Sequence, residues 1–174
     1  MKRSTKIILF CFCCLAFIGC DRFTKDLAKE HLKDRMPITY LNDTVRLQYA
    51  ENTGAALSLG DDLPKAVSFW LFSMLPLAIL LGVFIYTLKH LQQWGTMKIF
   101  SIALIFSGGI GNIIDRIVFD RHVTDFLNLG IGNLRTGIFN VADICVSAGV
   151  IGLLFFFNDK KNKPTADPNS VPVQ

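Results

Sequence analysis

Four long apolar runs divide the chain, at about Ile7–Cys20, Val67–Leu88, Ile99–Phe119 and Ile138–Phe157. Runs of this kind predict helices that cross roughly 30 Å of hydrocarbon. The first run is short, but its helix can continue through Asp21-Arg22-Phe23. Beyond it the pattern changes. Asp21 to Arg35 is polar, with Phe23, Leu27 and His31 at four-residue spacing among alternating charges, which predicts a short helix outside the bilayer that Pro37 ends. Ile38–Tyr49 is rich in Thr, Tyr and Val around Asn42-Asp43, the pattern of a small β-hairpin. The small-residue loop Glu51–Ala56 is expected to dip back toward the membrane, where irregular backbone needs protein or a wet cavity to satisfy it. Pro76 predicts a kink in the second run. Gly108-Gly109-Ile110-Gly111 lets a neighbouring helix approach the third closely. A loop from Asp120 to Gly137 leads to the fourth run.

Composition agrees with this pattern. Of 174 residues 51% are hydrophobic and 18% charged, and the mean hydropathy is +0.41, too apolar for an ordinary soluble domain. The expected fold class is membrane α-helical: four transmembrane helices, a small extracytoplasmic β-hairpin or sheet and a short extracytoplasmic helix. Residues 1–158 form one integral membrane domain, and the polar stretch 159–174 is a disordered tail. The net charge of +4 does not point to nucleic acid, because the basic residues sit near span ends with few aromatics interleaved. Lys2, Arg3, Lys6, Lys89, Lys98, Lys160, Lys161 and Lys163 fall on one side of the four-span arrangement, which puts both termini in the cytoplasm. Lys25, Lys29, Lys33 and Arg35 lie on the other side, interleaved with Asp26, Glu30 and Asp34. Ala16-Phe17-Ile18-Gly19-Cys20 is similar to a lipoprotein signal, but three further spans favour an uncleaved first helix. The five cysteines lie in or beside apolar runs and are read as packing residues.

The candidate chemistry lies in the polar residues of the last two spans. An ionised acid at the membrane centre costs roughly 3 kcal/mol, so acids near the outer span ends are candidate functional groups. Asp125 and Asp143 are the two that matter most. Asn112, Asp115 and Arg116 stand at i, i+3 and i+4 on one helix face, as do Asn140, Asp143 and Ser147 at i, i+3 and i+7. For Asp115 and Arg116 a structural ion-pair network at the membrane edge is the favoured reading. Two adjacent carboxyls cannot both ionise easily, so one holds its proton while the other takes one from water. Such a pair hydrolyses an amide without a covalent intermediate. Other hydrolase chemistries fit poorly. His31, His90 and His122 are isolated, and neither a His-Glu-x-x-His helix nor a Gly-x-Ser-x-Gly elbow occurs. On spans and charges alone, a small transporter or non-enzymatic membrane subunit with the acids as ion or proton ligands is the stronger class.

Five short elements change that balance. Asp21-Arg22-Phe23-Thr24-Lys25, Asn52-Thr53-Gly54-Ala55-Ala56, Gly111-Asn112-Ile113-Ile114-Asp115-Arg116, Val123-Thr124-Asp125-Phe126 and Phe139-Asn140-Val141-Ala142-Asp143 occur in this order. In sequence and order the set resembles the bacterial signal peptidase II family, the lipoprotein signal peptidases, which are intramembrane aspartic peptidases. The resemblance runs from about Asp21 to Ser147. It implies that Asp125 and Asp143 are the catalytic pair. It implies that Asn52, Gly54, Ala55, Asn112, Arg116 and Asn140 shape the site and hold the substrate backbone, supported by Asp21, Lys25 and Asp115. The implied substrate is a diacylglyceryl-modified prolipoprotein cut just before its lipidated cysteine. No metal or cofactor is implied, membrane lipid is the surrounding partner, and one chain holds a complete site. The implied location is the bacterial inner membrane, with the site near the extracytoplasmic face. Leu57 departs from the family's usual Phe, while Ser58 agrees with it.

Overall fold

The computed structural model describes residues 1–54 and 63–156. Ala55, Leu57, Ser58 and the predicted tail 159–174 therefore lie outside the described residues. Helix α1 spans Arg3–Leu32. Strands β1 (Ile38–Tyr40) and β2 (Val45–Asn52) follow, then the long helix α2 over Lys65–Gln93, α3 over Thr96–Val118, β3 (Val123–Ile131) and β4 (Leu134–Arg135), and α4 over Val141–Phe156. Helices α1, α2 and α3 are long and apolar enough to cross a membrane, and α4 is a shorter apolar helix.

The short polar helix expected after the first span is not a separate element. Asp21 to Leu32 continue α1 without a break. Its buried face is not its apolar one. Phe23 is 64% exposed, whereas Asp21, Lys25, Ala28 and Leu32 are buried. These four stand at i, i+4, i+7 and i+11, one helical stripe. Apolar side chains on the outside and charges on the inside are what a lipid solvent selects. Ile8, Phe12, Leu15, Ile79 and Leu154 are likewise exposed.

The hairpin forms as expected, with the turn around Asn42-Asp43, and it belongs to a larger sheet. All strands pair antiparallel in the order β1-β2-β3-β4. The segment after α3, expected as a loop, thus supplies two strands. Asp125 sits on β3 rather than on a helix end. The β2–β3 register runs from Leu47↔Leu127 to Ala50↔Asp125, so β2 carries an extra residue in a bulge beside Asp125. Ala28, Leu32 and Phe126 form an apolar cluster between α1 and the sheet. At the opposite end, Phe10, Cys14, Leu91, Ile99, Ile102 and Ala103 form a second core. There the buried Lys6 ammonium donates to the carbonyls of Leu91 and Trp94.

Pro76 marks a change of winding in α2. Trp70–Met74 form a π-helical turn, with the Leu75 N–H donating to the Trp70 carbonyl. Proline lacks the N–H that would continue the regular ladder, and the wider turn accommodates this. Between α3 and α4 the packing depends on glycine. A Cβ on Gly108 would lie 2.3 Å from the Ala142 carbonyl oxygen, and one on Gly149 would lie 2.6 Å from that of Ser101. By contrast, Gly82 on α2 has nothing within 4 Å of its Cβ position. Gly108→Ala should therefore destabilise the protein by about 1–3 kcal/mol, while Gly82→Ala should be neutral or stabilising by up to about 1 kcal/mol. Thermal unfolding of both variants in one detergent checks the contrast.

Candidate active site

The site starts from a buried cation. Lys25, with 0% of its surface exposed, has an ammonium with three hydrogens and no accepting capacity. Its Nζ lies 2.7 Å from Asp21 Oδ2, 3.0 Å from Asp115 Oδ2 and 3.0 Å from Asn112 Oδ1. Each hydrogen has an acceptor. The two carboxylates are shared outward in turn. Asp21 Oδ1 accepts the Ala142 N–H at 2.8 Å, Asp115 Oδ2 accepts the Thr124 N–H at 3.2 Å, and Arg22 pairs with Asp115 Oδ1. One cluster thereby ties α1 to α3, to β3 and to the start of α4. Gly111 makes room for it, since a Cβ there would lie 2.6 Å from Asp21 Oδ2.

The cluster also fixes which way the neighbouring amides point. Lys25 only donates, so the oxygen of Asn112 must face it, and Asn112 Nδ2 then donates to Asp143 Oδ1 at 2.8 Å. Asn140 Oδ1 accepts the Asp143 N–H at 3.0 Å, so its Nδ2 is turned toward Asn112 Oδ1 at 3.1 Å and Asp125 Oδ1 at 2.6 Å. Asn52 Oδ1 accepts the Gly54 N–H at 3.0 Å, and its Nδ2 faces Asp125 Oδ2 at 3.3 Å. In all three asparagines the oxygen is anchored and the NH₂ is aimed at an acid.

Local chain geometry brings the two acids together. The Phe139 carbonyl accepts the N–H groups of Phe126 and Leu127, and the Phe139 N–H donates to Leu127. This pins the segment before α4 onto β3. Asn140 then begins the helix, and Asp143 Oδ2 accepts the Asn140 N–H at 3.0 Å. Together with the Asp143 N–H to Asn140 Oδ1 bond, this is a reciprocal cap built from Asn and Asp. Asp125 and Asp143 therefore share Asn140 as a partner and line one groove of about 820 Å3. Asp125 is 3% exposed. Burial, then the neighbouring Asp143 charge, push its carboxyl up to about 6.

The groove gathers most of the residues expected from the sequence. Asn52, Asn112, Arg116, Asp125 and Asp143 line it, with Phe72, Pro76, Ile113, Ile138 and Val146 as its apolar walls. Asp21, Lys25 and Asp115 stand behind it. Asp115 is indeed in an ion-pair network, with its own carboxylate buried, and Arg116 is not among its ion-pair partners. Arg116 turns the other way, donating from Nη2 to the Gly54 carbonyl at 2.8 Å, and its Nε is buried without a hydrogen-bond partner among the described residues. Arg22 and Thr124 were missed. Both stand inside motifs already singled out, but Thr124 acts through its backbone N–H, which side-chain chemistry does not signal.

A family model for signal peptidase (SPase) II matches residues 13–158. The chain belongs to the signal peptidase II family. The resemblance carried by the five short elements thus holds, and with it the assignment to the membrane proteases. The lipoprotein signal peptidase of Chlorobaculum parvum is 38% identical over 168 residues, 91% of this chain and 99% of that protein. The one from Borrelia duttonii is 35% identical over 132 residues, 74% of this chain and 76% of that protein. A bacterial membrane enzyme solved by the in meso method at 2.3 Å resolution superposes with a TM-score of 0.72 at 26% identity, covering 94% of this chain and 95% of that one.

The geometry makes one consequence measurable. Removing the Lys25 ammonium leaves Asp21 and Asp115 buried without their shared partner, and breaking a buried pair from one side costs about 3–5 kcal/mol. Lys25→Met should lower thermal stability by that order, far more than Lys33→Met, whose ammonium is exposed and 3.5 Å from Glu51. Unfolding curves of the two variants test this.

Proposed function

We propose that this protein removes the signal peptide from diacylglyceryl-modified prolipoproteins, cutting just before the lipidated cysteine with Asp125 and Asp143 as the water-activating pair. One observation carries the reading. Asp125 and Asp143, which line one groove, share the residue Asn140, which donates to Asp125 from its side chain and to Asp143 from its backbone. Such a pair holds one proton between two acids. One member draws a proton from water while the other donates to the scissile carbonyl, and the asparagine NH₂ groups hold both carboxylates still.

The apolar groove walls suit lipid tails that stay beside the helices. Asn52, Gly54 and Arg116 hold the substrate backbone at the rim, with Ala55 next to them in the chain, and Asn112 and Asn140 orient the acids. Asp21, Lys25 and Asp115 support them from behind. In this reading α1, α2, α3 and α4 all span the bacterial inner membrane with both termini in the cytoplasm. The sheet and groove mouth face the extracytoplasmic side, and a single chain suffices. The names of the relatives from Chlorobaculum parvum and Borrelia duttonii support the substrate class.

The test is cleavage of a lipidated prolipoprotein in bilayers beside its unlipidated form. Wild type should cut only the lipidated substrate. Asp125→Asn and Asp143→Asn should each lower kcat by more than about 10³-fold, the order lost when an essential acid or base is removed. Near-normal cleavage by either variant would sink the two-aspartate mechanism. A pH dependence follows as well. Asp125 titrates at about 6 in the folded protein against an ordinary value of 3.8. Between those values the folded state holds a proton that the unfolded chain has released, so ionisation of Asp125 costs stability as pH rises. If Asp125 carries the shared proton, kcat falls as pH rises through that range. Replacing the Asp143 charge by Asn removes one cause of the raised value. A pH–kcat profile for wild type, and a carboxyl titration of Asp125 in Asp143→Asn, test both points.

A further inference from the structure

A second, smaller cavity of about 290 Å3 lies on the other side of the β2–β3 sheet from the groove. It is lined by Lys29 of α1 and Lys33 just beyond it, Phe119 just beyond α3, Tyr49 and Glu51 of β2, and His122 and Thr124 beside and on β3. Strand alternation explains the separation. Ala50, Asn52, Val123 and Asp125 face the groove, while Tyr49 and Thr124 face away into this cleft, and Glu51 borders both.

The charges in the cleft do not cancel. Glu51 is the only carboxylate among its described lining residues, and it is already engaged by the Tyr49 hydroxyl at 2.6 Å and by Lys33 at 3.5 Å. Lys29 has no carboxylate within ion-pair distance among the described residues. Its ammonium stands 3.2 Å from the centroid of the Phe119 ring. The ring fixes the cation without neutralising it. One uncompensated positive charge remains; His122, with its Nδ1 held 2.9 Å from the Phe119 carbonyl oxygen, and Thr124, whose side chain bonds to Tyr49, complete the lining.

Position decides what anion this suits. The cleft lies at the end of α1 where exposed apolar residues give way to charged ones. Phe23 and Leu27, on the next stripe of the helix, are exposed, as is Val118 beside Phe119. A ligand here meets apolar surface on one side and cations on the other. We propose that this cleft binds the phosphodiester headgroup of an anionic phospholipid, with the acyl chains lying along the exposed apolar surface of α1 and α3. The net charge left over matches a headgroup with one negative charge and no compensating amine. The site is separate from the peptidase groove and goes beyond that reading.

The test uses the full chain purified in detergent, titrated with phosphatidylglycerol, with phosphatidylcholine and with inorganic phosphate. Binding is read by native mass spectrometry and by thermal shift, neither of which depends on peptidase activity. Phosphatidylglycerol should be retained preferentially and should raise the unfolding temperature. Lys29→Gln should weaken that retention about fivefold, the order expected for one basic residue at a lipid surface, and Lys29→Arg should restore it. An equal shift with inorganic phosphate would reassign the cleft to soluble anions. Equal retention of phosphatidylcholine, or an unchanged preference in Lys29→Gln, would overturn the proposal. Should Lys29→Gln fail to fold, the lipid comparison on wild type still decides it.

Discussion

A single ammonium group, that of Lys25, holds this structure in order. A buried cation is tolerable only if its hydrogens are all accepted and its charge is met. Asp21, Asp115 and Asn112 satisfy both conditions at once. Each acceptor belongs to a segment that must then stay where it is, and the carboxylates pass the constraint on to the backbone of Ala142 and Thr124. Helix packing alone would leave α1, α3 and β3 free to slide by fractions of a turn. The charge cluster removes that freedom, because every alternative leaves a charged atom without a partner.

The same ammonium gives Asn112, and through it Asn140, their direction. An amide is nearly symmetric in shape, so packing cannot tell its oxygen from its nitrogen. A donor that never accepts can. From Lys25 the preference passes through Asn112 and reaches Asp143, while Asn140 joins Asn112 to Asp125. The acids thus receive N–H donors instead of lone pairs. That is the electrostatic condition for holding two carboxyls in one groove.

Much of this was legible in the chain. The apolar runs gave the helices, the Thr- and Val-rich stretch gave the hairpin, and the ordered motifs named almost every polar residue around the groove. Three features were not legible, each for a physical reason. The continuation of α1 through Asp21–Leu32 is not legible because the change from apolar to charged residues mimics the end of a span, whereas the charges of Asp21 and Lys25 are buried against protein. β3 was read as a loop because its strand character depends on pairing with β2 and on Phe139, both distant in sequence. The division of Asp115 from Arg116 follows from which neighbours lie to either side of α3, and helical spacing alone does not supply that.

The cap at the start of α4 has an evolutionary consequence. Asp143 accepts the backbone N–H of Asn140 and receives the Asn140 side chain on its own N–H. Its carboxylate therefore serves the helix as well as any reaction. A lineage that abandoned the chemistry would still be held to a short hydrogen-bond acceptor at position 143. Persistence of a polar residue there among distant descendants would record the geometry of a helix start, and only the distinction between Asp and Asn would record selection for catalysis.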